Sequence, residues 1–170
     1  MTMTLTIPRS ARIVAALCAA LLLAACANRP GGGDLAAPIA GAGAGAAVPG
    51  SSQDFIVNVG DRVFFDTDQT DLSATARQTL DRQAQWLNQY PRVTFTVEGH
   101  ADERGTREYN IALGARRSTA VHDYLVAKGI AATRMHTISY GKERPVAVCN
   151  DISCWSQNRR AVTVVNNAGM

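Results

Sequence analysis

The 170-residue chain has no run of lysine or arginine long enough to suggest nucleic acid, and its formal net charge is a modest +3. It has no hydrophobic run as long as a membrane span. The longest, Ile13 to Ala24, would make roughly 18 Å of helix against a hydrocarbon core of ~30 Å. It has no long series of alternating strands, which excludes a porin-type barrel. It has no G-x-S-x-G elbow and no H-E-x-x-H helix, so two common hydrolase signatures are missing. No internal repeat is visible. Cysteine is scarce, 4 in the whole chain.

The amino-terminal segment reads as an export signal. Arg9 and Arg12 give it a short positive start, and the apolar stretch follows. It ends in Leu23-Ala24-Ala25-Cys26, which resembles the lipobox of bacterial lipoproteins. That resemblance implies a diacylglycerol on the Cys26 thiol and cleavage just before it. Residue 27 is Ala rather than Asp, which by the same resemblance favours sorting to the outer membrane. Several acyl chains on one residue anchor stably where a single chain binds only marginally. Residues 1–25 are therefore read as a lipoprotein signal peptide.

The cysteines then sort by position. Cys18 leaves with the signal and Cys26 carries lipid. Cys149 and Cys154 remain, in a loop-like stretch. An exported chain lives where disulfides persist, so a Cys149–Cys154 bridge is expected. The chain-entropy model gives it about 2 kcal/mol. Two cysteines without a nearby histidine make no convincing zinc site.

Residues 26–53 are Gly, Ala, Pro and Ser with few large apolar groups, and such a composition cannot bury a core. This is read as a flexible tether with a reach of roughly 30 Å. An anchor, then a leash, then a domain implies a partner at a distance from the membrane.

From Asp54 the composition becomes globular, and residues 54–170 are read as one domain. Arg62 to Phe65 looks like a short strand. Ser73 is a plausible N-cap. Ala76, Leu80, Ala84 and Leu87 repeat at helical spacing, with Pro91 beyond the end. Val93 to Val97 alternates as a strand does. A second helix spans about Glu108 to Lys128, with Gly129 as its C-cap. Met135 to Tyr140 and Arg160 to Val165 read as strands. The stretch between them, with Pro145 and the two cysteines, reads as a loop. The order predicts an α/β (α+β) sandwich with helices packed on a mixed four-stranded sheet.

Three places carry chemistry. On the second helix, Leu113, Ala120, Val121, Tyr124 and Leu125 share an arc of roughly 140°. Arg117 falls inside that arc. A charge there is costly unless it is paired or its head escapes to water. The pattern by itself favours a snorkelling side chain, and the sharper alternative is an arginine at the floor of a pocket. Second, Glu98-Gly99-His100-Ala101-Asp102-Glu103-Arg104-Gly105 sits between a strand end and that helix, a common ligand site in α/β folds. It could equally be a polar capping turn. Third, Asp66, Asp68 and Asp71 follow the first strand and could be a solvated loop. His122 and His136 are read as structural.

The stretch Val97 to Arg117, with its Gly99-His100-Ala101-Asp102-Glu103-Arg104-Gly105 core, strongly resembles the OmpA-like peptidoglycan-binding domain. Ser139 to Pro145 and Ser156 to Val162 match the same family, in the same order. The lipobox and tether fit its lipid-anchored branch, whereas porins and stator proteins with this domain carry a barrel or a span. The resemblance implies binding of the diaminopimelate side chain of the wall's stem peptide. It places the carboxylate-binding arginine on Arg117 and the ammonium-binding aspartate on Asp102, with Asp68, Arg104 and Leu113 lining the pocket. It implies TolB and other Tol proteins as partners, and no cofactor, metal or nucleic acid. Gly114 and Ser118 depart from relatives that often have Ser and Ala, and the two-cysteine loop is not general. A fork of N–H groups from Arg117 suits a carboxylate, and Asp102 suits an ammonium. The expectation is that the fold leaves both charges poorly paired until a ligand arrives.

Two rival functions belong to other classes. Glu98, Asp102 and Glu103 could be imagined as the acid and base of a wall hydrolase, but no strong nucleophile motif accompanies them. A protein-binding adaptor that ignores the wall is the other.

Overall fold

The computed structural model describes residues 47–166. The signal segment 1–25, Cys26 and residues 26–46 of the tether lie outside them. A short helical lead-in, Ser52–Asp54, passes into a π-turn, Phe55–Val59. Then come β1 (Arg62–Phe64), α1 (Ala74–Gln89), β2 (Phe95–His100), α2 (Arg107–Ala127), β3 (Met135–Gly141), α3 (Ile152–Asn158) and β4 (Arg160–Val165). No helix among the described residues is long and apolar enough to cross a membrane.

The sheet order is β1-β4-β2-β3. The β4 strand runs antiparallel to both β1 and β2, while β2 and β3 are parallel. The mixed sheet read from the sequence is thus present, and α2 packs across β2 and β3. The core gathers Phe55, Leu80, Leu87, Phe95, Val97 and Leu125, all fully buried.

Local chemistry sets the helix ends. Ser73 Oγ accepts from Ala76 N at 3.1 Å and opens α1. Thr106 Oγ1 accepts from Tyr109 N at 3.2 Å and opens α2. Gly129 follows α2 with φ of +88°, the left-handed conformation that stops a helix. One expectation fails. The stretch read as a loop contains α3, capped by Asp151, whose Oδ1 accepts from Ser153 N at 2.8 Å. The Cys149–Cys154 bridge is formed, with Cα atoms 5.7 Å apart, and ties this helix to the preceding loop.

One pair of glycines seats α2 on the sheet. A Cβ on Gly99 of β2 would stand 1.8 Å from the Gly114 carbonyl oxygen of α2. A Cβ on Gly114 would lie 2.8 Å from the Gly99 carbonyl oxygen. Only two residues without side chains let helix and strand come this close. The seating brings Arg117, one turn further along α2, up to the last residue of β2.

Candidate functional site

A cavity of about 320 Å³ opens where β2 ends and α2 begins. All five residues carried over from the resemblance, Asp68, Asp102, Arg104, Leu113 and Arg117, line it. The turn after β2, the loop after β1 and the face of α2 each supply part of the wall.

Arg117 forms the floor. It is fully buried, so the snorkelling reading is wrong. Its head does not reach water. It is held by main-chain oxygens: Nε donates to Gln69 O at 3.0 Å, Nη1 to His100 O at 2.8 Å and Nη2 to Asp66 O at 3.1 Å. The third acidic loop therefore has a structural task, but through its carbonyls. Burial, then the nearby Arg159 charge, pushes the Arg117 pKa down to about 10, which leaves it charged at neutral pH. Among the described residues no carboxylate lies within ion-pairing distance of it. A guanidinium has five N–H groups. Three are engaged here, and the other two have no acceptor among the described residues.

Asp102 is different, and the expectation that it is poorly paired is overturned. Arg104 grips it in a fork, Nε to Oδ1 at 3.0 Å and Nη2 to Oδ2 at 2.7 Å. The Arg104 amide also donates to Oδ1 at 3.2 Å. Arg159 Nη1 reaches Oδ2 at 3.3 Å from the other side, while its Nε donates to Phe65 O at 3.0 Å. Burial alone would raise the Asp102 carboxyl pKa, but the hydrogen bonds from Arg104 and Arg159 outweigh it, and the net shift is down. The Arg104 side chain is 41 % exposed, against 7 % for Arg159, so Arg104 is the more solvent-facing of the two partners.

Around these two groups, Leu113 contributes an apolar wall. Asp68 holds a left-handed backbone with φ of +58°, the single such non-glycine position among the described residues. It accepts from the Tyr109 hydroxyl, and this hydrogen bond raises the Tyr109 pKa. The lining thus sets three guanidiniums, Arg104, Arg117 and Arg159, against two carboxylates, Asp68 and Asp102. One positive charge is left over, and an anionic group would balance it.

Sequence reasoning missed Tyr109 and Arg159. Tyr109 lies in the quoted motif one turn before Leu113, so helical spacing could have flagged it. Arg159 lies in the Asn158-Arg159-Arg160 stretch that carried the resemblance, but no pattern marks which of two adjacent arginines faces a cavity.

The fold agrees with the comparisons. The OmpA family model matches residues 64–160. The chain belongs to the OmpA family. Within that family it is 65% identical to the peptidoglycan-associated lipoprotein of Agrobacterium fabrum, over 92% of this chain and 89% of that one. It is 60% identical to the Brucella melitensis protein of the same name, over 92% and 93% of the two chains. The crystal structure of the peptidoglycan-associated lipoprotein from Burkholderia pseudomallei superposes with a TM-score of 0.61 at 40% identity, covering 62% of this chain and 90% of that one. The carboxy-terminal domain of Helicobacter pylori MotB gives a TM-score of 0.60 at 21% identity, over 64% and 86%, and shares the fold. The chain is thus a member of the peptidoglycan-associated lipoprotein branch, whose name describes a wall-associated lipoprotein and no enzymatic activity.

Proposed function

We propose that this protein is an outer-membrane lipoprotein that holds the membrane to the peptidoglycan wall by non-covalent capture of the diaminopimelate side chain of the stem peptide. One observation carries the reading. Five residues taken from the sequence as a binding set line a single cavity, and the guanidinium at its floor is fully buried with N–H groups to spare.

The chemistry follows from the two ends of the cavity. Diaminopimelate ends in a zwitterion. Its carboxylate forks onto the free N–H groups of Arg117. Its ammonium donates to Asp102 as the exposed Arg104 swings aside, while the buried Arg159 stays as counter-charge. A stem peptide with lysine lacks the carboxylate and leaves Arg117 unanswered, and sites built on such bonds reject the deficient analogue strongly. The names of the relatives support attachment to the wall. The lipobox supports a lipid on Cys26. The resemblance supports TolB and other Tol proteins as partners in the Tol–Pal system, with a role in envelope integrity and in outer-membrane constriction at division.

Sedimentation with purified sacculi tests this. Wild-type protein should pellet with diaminopimelate-type wall and not with lysine-type wall. Arg117→Ala should cost ~2–5 kcal/mol of binding and stay in the supernatant. Pelleting of Arg117→Ala at the wild-type level would refute the assignment. Release of soluble muropeptides would point to a hydrolase, and TolB binding without pelleting would point to an adaptor.

A further inference from the structure

The turn Glu103–Gly105 is a wall with two faces. Arg104 and Gly105 line the cavity described above, while Glu103 lines a second one of about 390 Å³. That second cavity is walled by Pro145, Ala147 and Val148 and has Lys142 at its edge. Its rim is unusually apolar for a surface. Of its lining residues Val148 is 88% exposed, and Val146, two residues before it in the chain, is 52% exposed. Exposed apolar clusters of this kind mark binding surfaces.

The rim is also rigid. The buried Asn158 fastens it from below: Oδ1 accepts from Val146 N at 2.8 Å and Ala147 N at 3.2 Å, and Nδ2 donates to Ala147 O at 2.8 Å. The Cys149–Cys154 bridge closes it at the other end. A surface already fixed in shape loses little entropy on binding.

The polar groups at the edge are selective. The Glu103 carboxylate is turned to Trp155 Nε1. Lys142 Nζ donates to Glu103 O at 3.2 Å and Gly105 O at 2.7 Å, which uses two of its three protons. The cavity therefore offers small apolar contacts and one cationic donor, with the Glu103 carboxylate already engaged by Trp155. That suits a small apolar residue ending in a carboxylate.

We infer that the second cavity receives the alanyl carboxy-terminal end of the same stem peptide whose diaminopimelate occupies the first. The inference rests on that reading of the first cavity. The two cavities share the turn Glu103–Gly105 as a common wall, so a peptide lying across that turn touches both. The alanine methyl packs on Pro145, Ala147 and Val148, and the terminal carboxylate accepts a hydrogen bond from the third N–H of Lys142.

Calorimetry on the full-length lipoprotein in detergent tests this with three disaccharide peptides: one ending at diaminopimelate, one extended by alanine, and the extended one amidated at its terminus. The alanine-ended peptide should bind at least about fourfold tighter than the shorter one, the gain from one buried methyl group. The amide should fall between them. Val148→Asp, at a position too exposed to disturb folding, should erase the difference while leaving the affinity for the shorter peptide unchanged. Equal affinities for the wild type would overturn the inference. So would a Val148→Asp variant that weakens both peptides alike or neither. If the shorter peptide fails to bind, or binds Arg117→Ala as well as wild type, the reading of the first cavity fails too, and that result is separable from the others.

Discussion

The two ends of the cavity are built on opposite principles. At one end Arg117 is sealed in the interior and held by three main-chain oxygens. Carbonyl dipoles fix its position without cancelling its charge. At the other end Asp102 is held by side chains, Arg104 and Arg159, which do cancel its charge. A cation held by dipoles is ready for an anion at all times. An anion held by cations accepts a new one only when a partner leaves. The sequence presents the two residues as equivalent halves of a zwitterion clamp. The structure ties one half to main-chain carbonyls and the other to guanidinium side chains.

Four changes test that contrast, in order of expected size. The first strikes the Arg117 end. In Gly99→Ala the new Cβ collides with the Gly114 carbonyl and pushes α2 from β2. Stability should fall by about 3 kcal/mol, and wall binding should fall with it as Arg117 leaves the His100 carbonyl. Denaturant unfolding together with pelleting checks both.

The second uses acid at the same end. The His100 ring is buried, beside Tyr140 and 3.5 Å from Glu98, and neither ring nitrogen has a hydrogen-bond partner. Burial, then the charges of Arg160 and Arg144, lowers its pKa to about 4. An unfolded histidine titrates near ~6.5. Protonation therefore favours the unfolded chain. The contribution is fully present above pH ~6.5 and is lost as pH falls toward 4, to a total of about 3 kcal/mol. Melting across that window should show the loss, and His100→Asn should flatten it.

The third loosens the Asp102 end. Removing the bridge with Cys149→Ser and Cys154→Ser should cost about 2 kcal/mol of stability. It frees α3, which carries the Trp155 ring stacked 4.1 Å from the Arg104 guanidinium and is followed directly by Arg159. The fourth is smallest. Arg104→Gln removes an exposed partner from Asp102, and such partners contribute little to stability. Its melting temperature should stay near the wild-type value, and its affinity for diaminopimelate peptides should change by less than about tenfold. A loss as large as that of Arg117→Ala would end the contrast between the ends.

Much of this was legible in the chain. Helical spacing located α1 and α2, Ser73 and Gly129 marked their ends, and alternation located β2, which reaches three residues further than Val97. The helix α3 was hidden because Ile152–Asn158 has no apolar period; its packing runs through a disulfide and a buried Asn158 instead. The Asp151 cap was its one local signal. Arg117 was misjudged for a different reason. Its acceptors lie at Asp66, Gln69 and His100, and their carbonyls leave no trace in residue type. Likewise, the pairing of Asp102 with Arg159 depends on strand order, which brings residues far apart in sequence together.

The main-chain cradle of Arg117 has a consequence for heredity. A codon change at 66, 69 or 100 swaps a side chain but leaves the carbonyl behind, so the acceptors cannot be deleted by a point mutation that spares the fold. The Asp102 end enjoys no such insulation, because each of its guanidinium partners is one codon away from loss. Variation among descendants of this chain should therefore collect at that end, where the grip can be retuned without dismantling the socket beneath it.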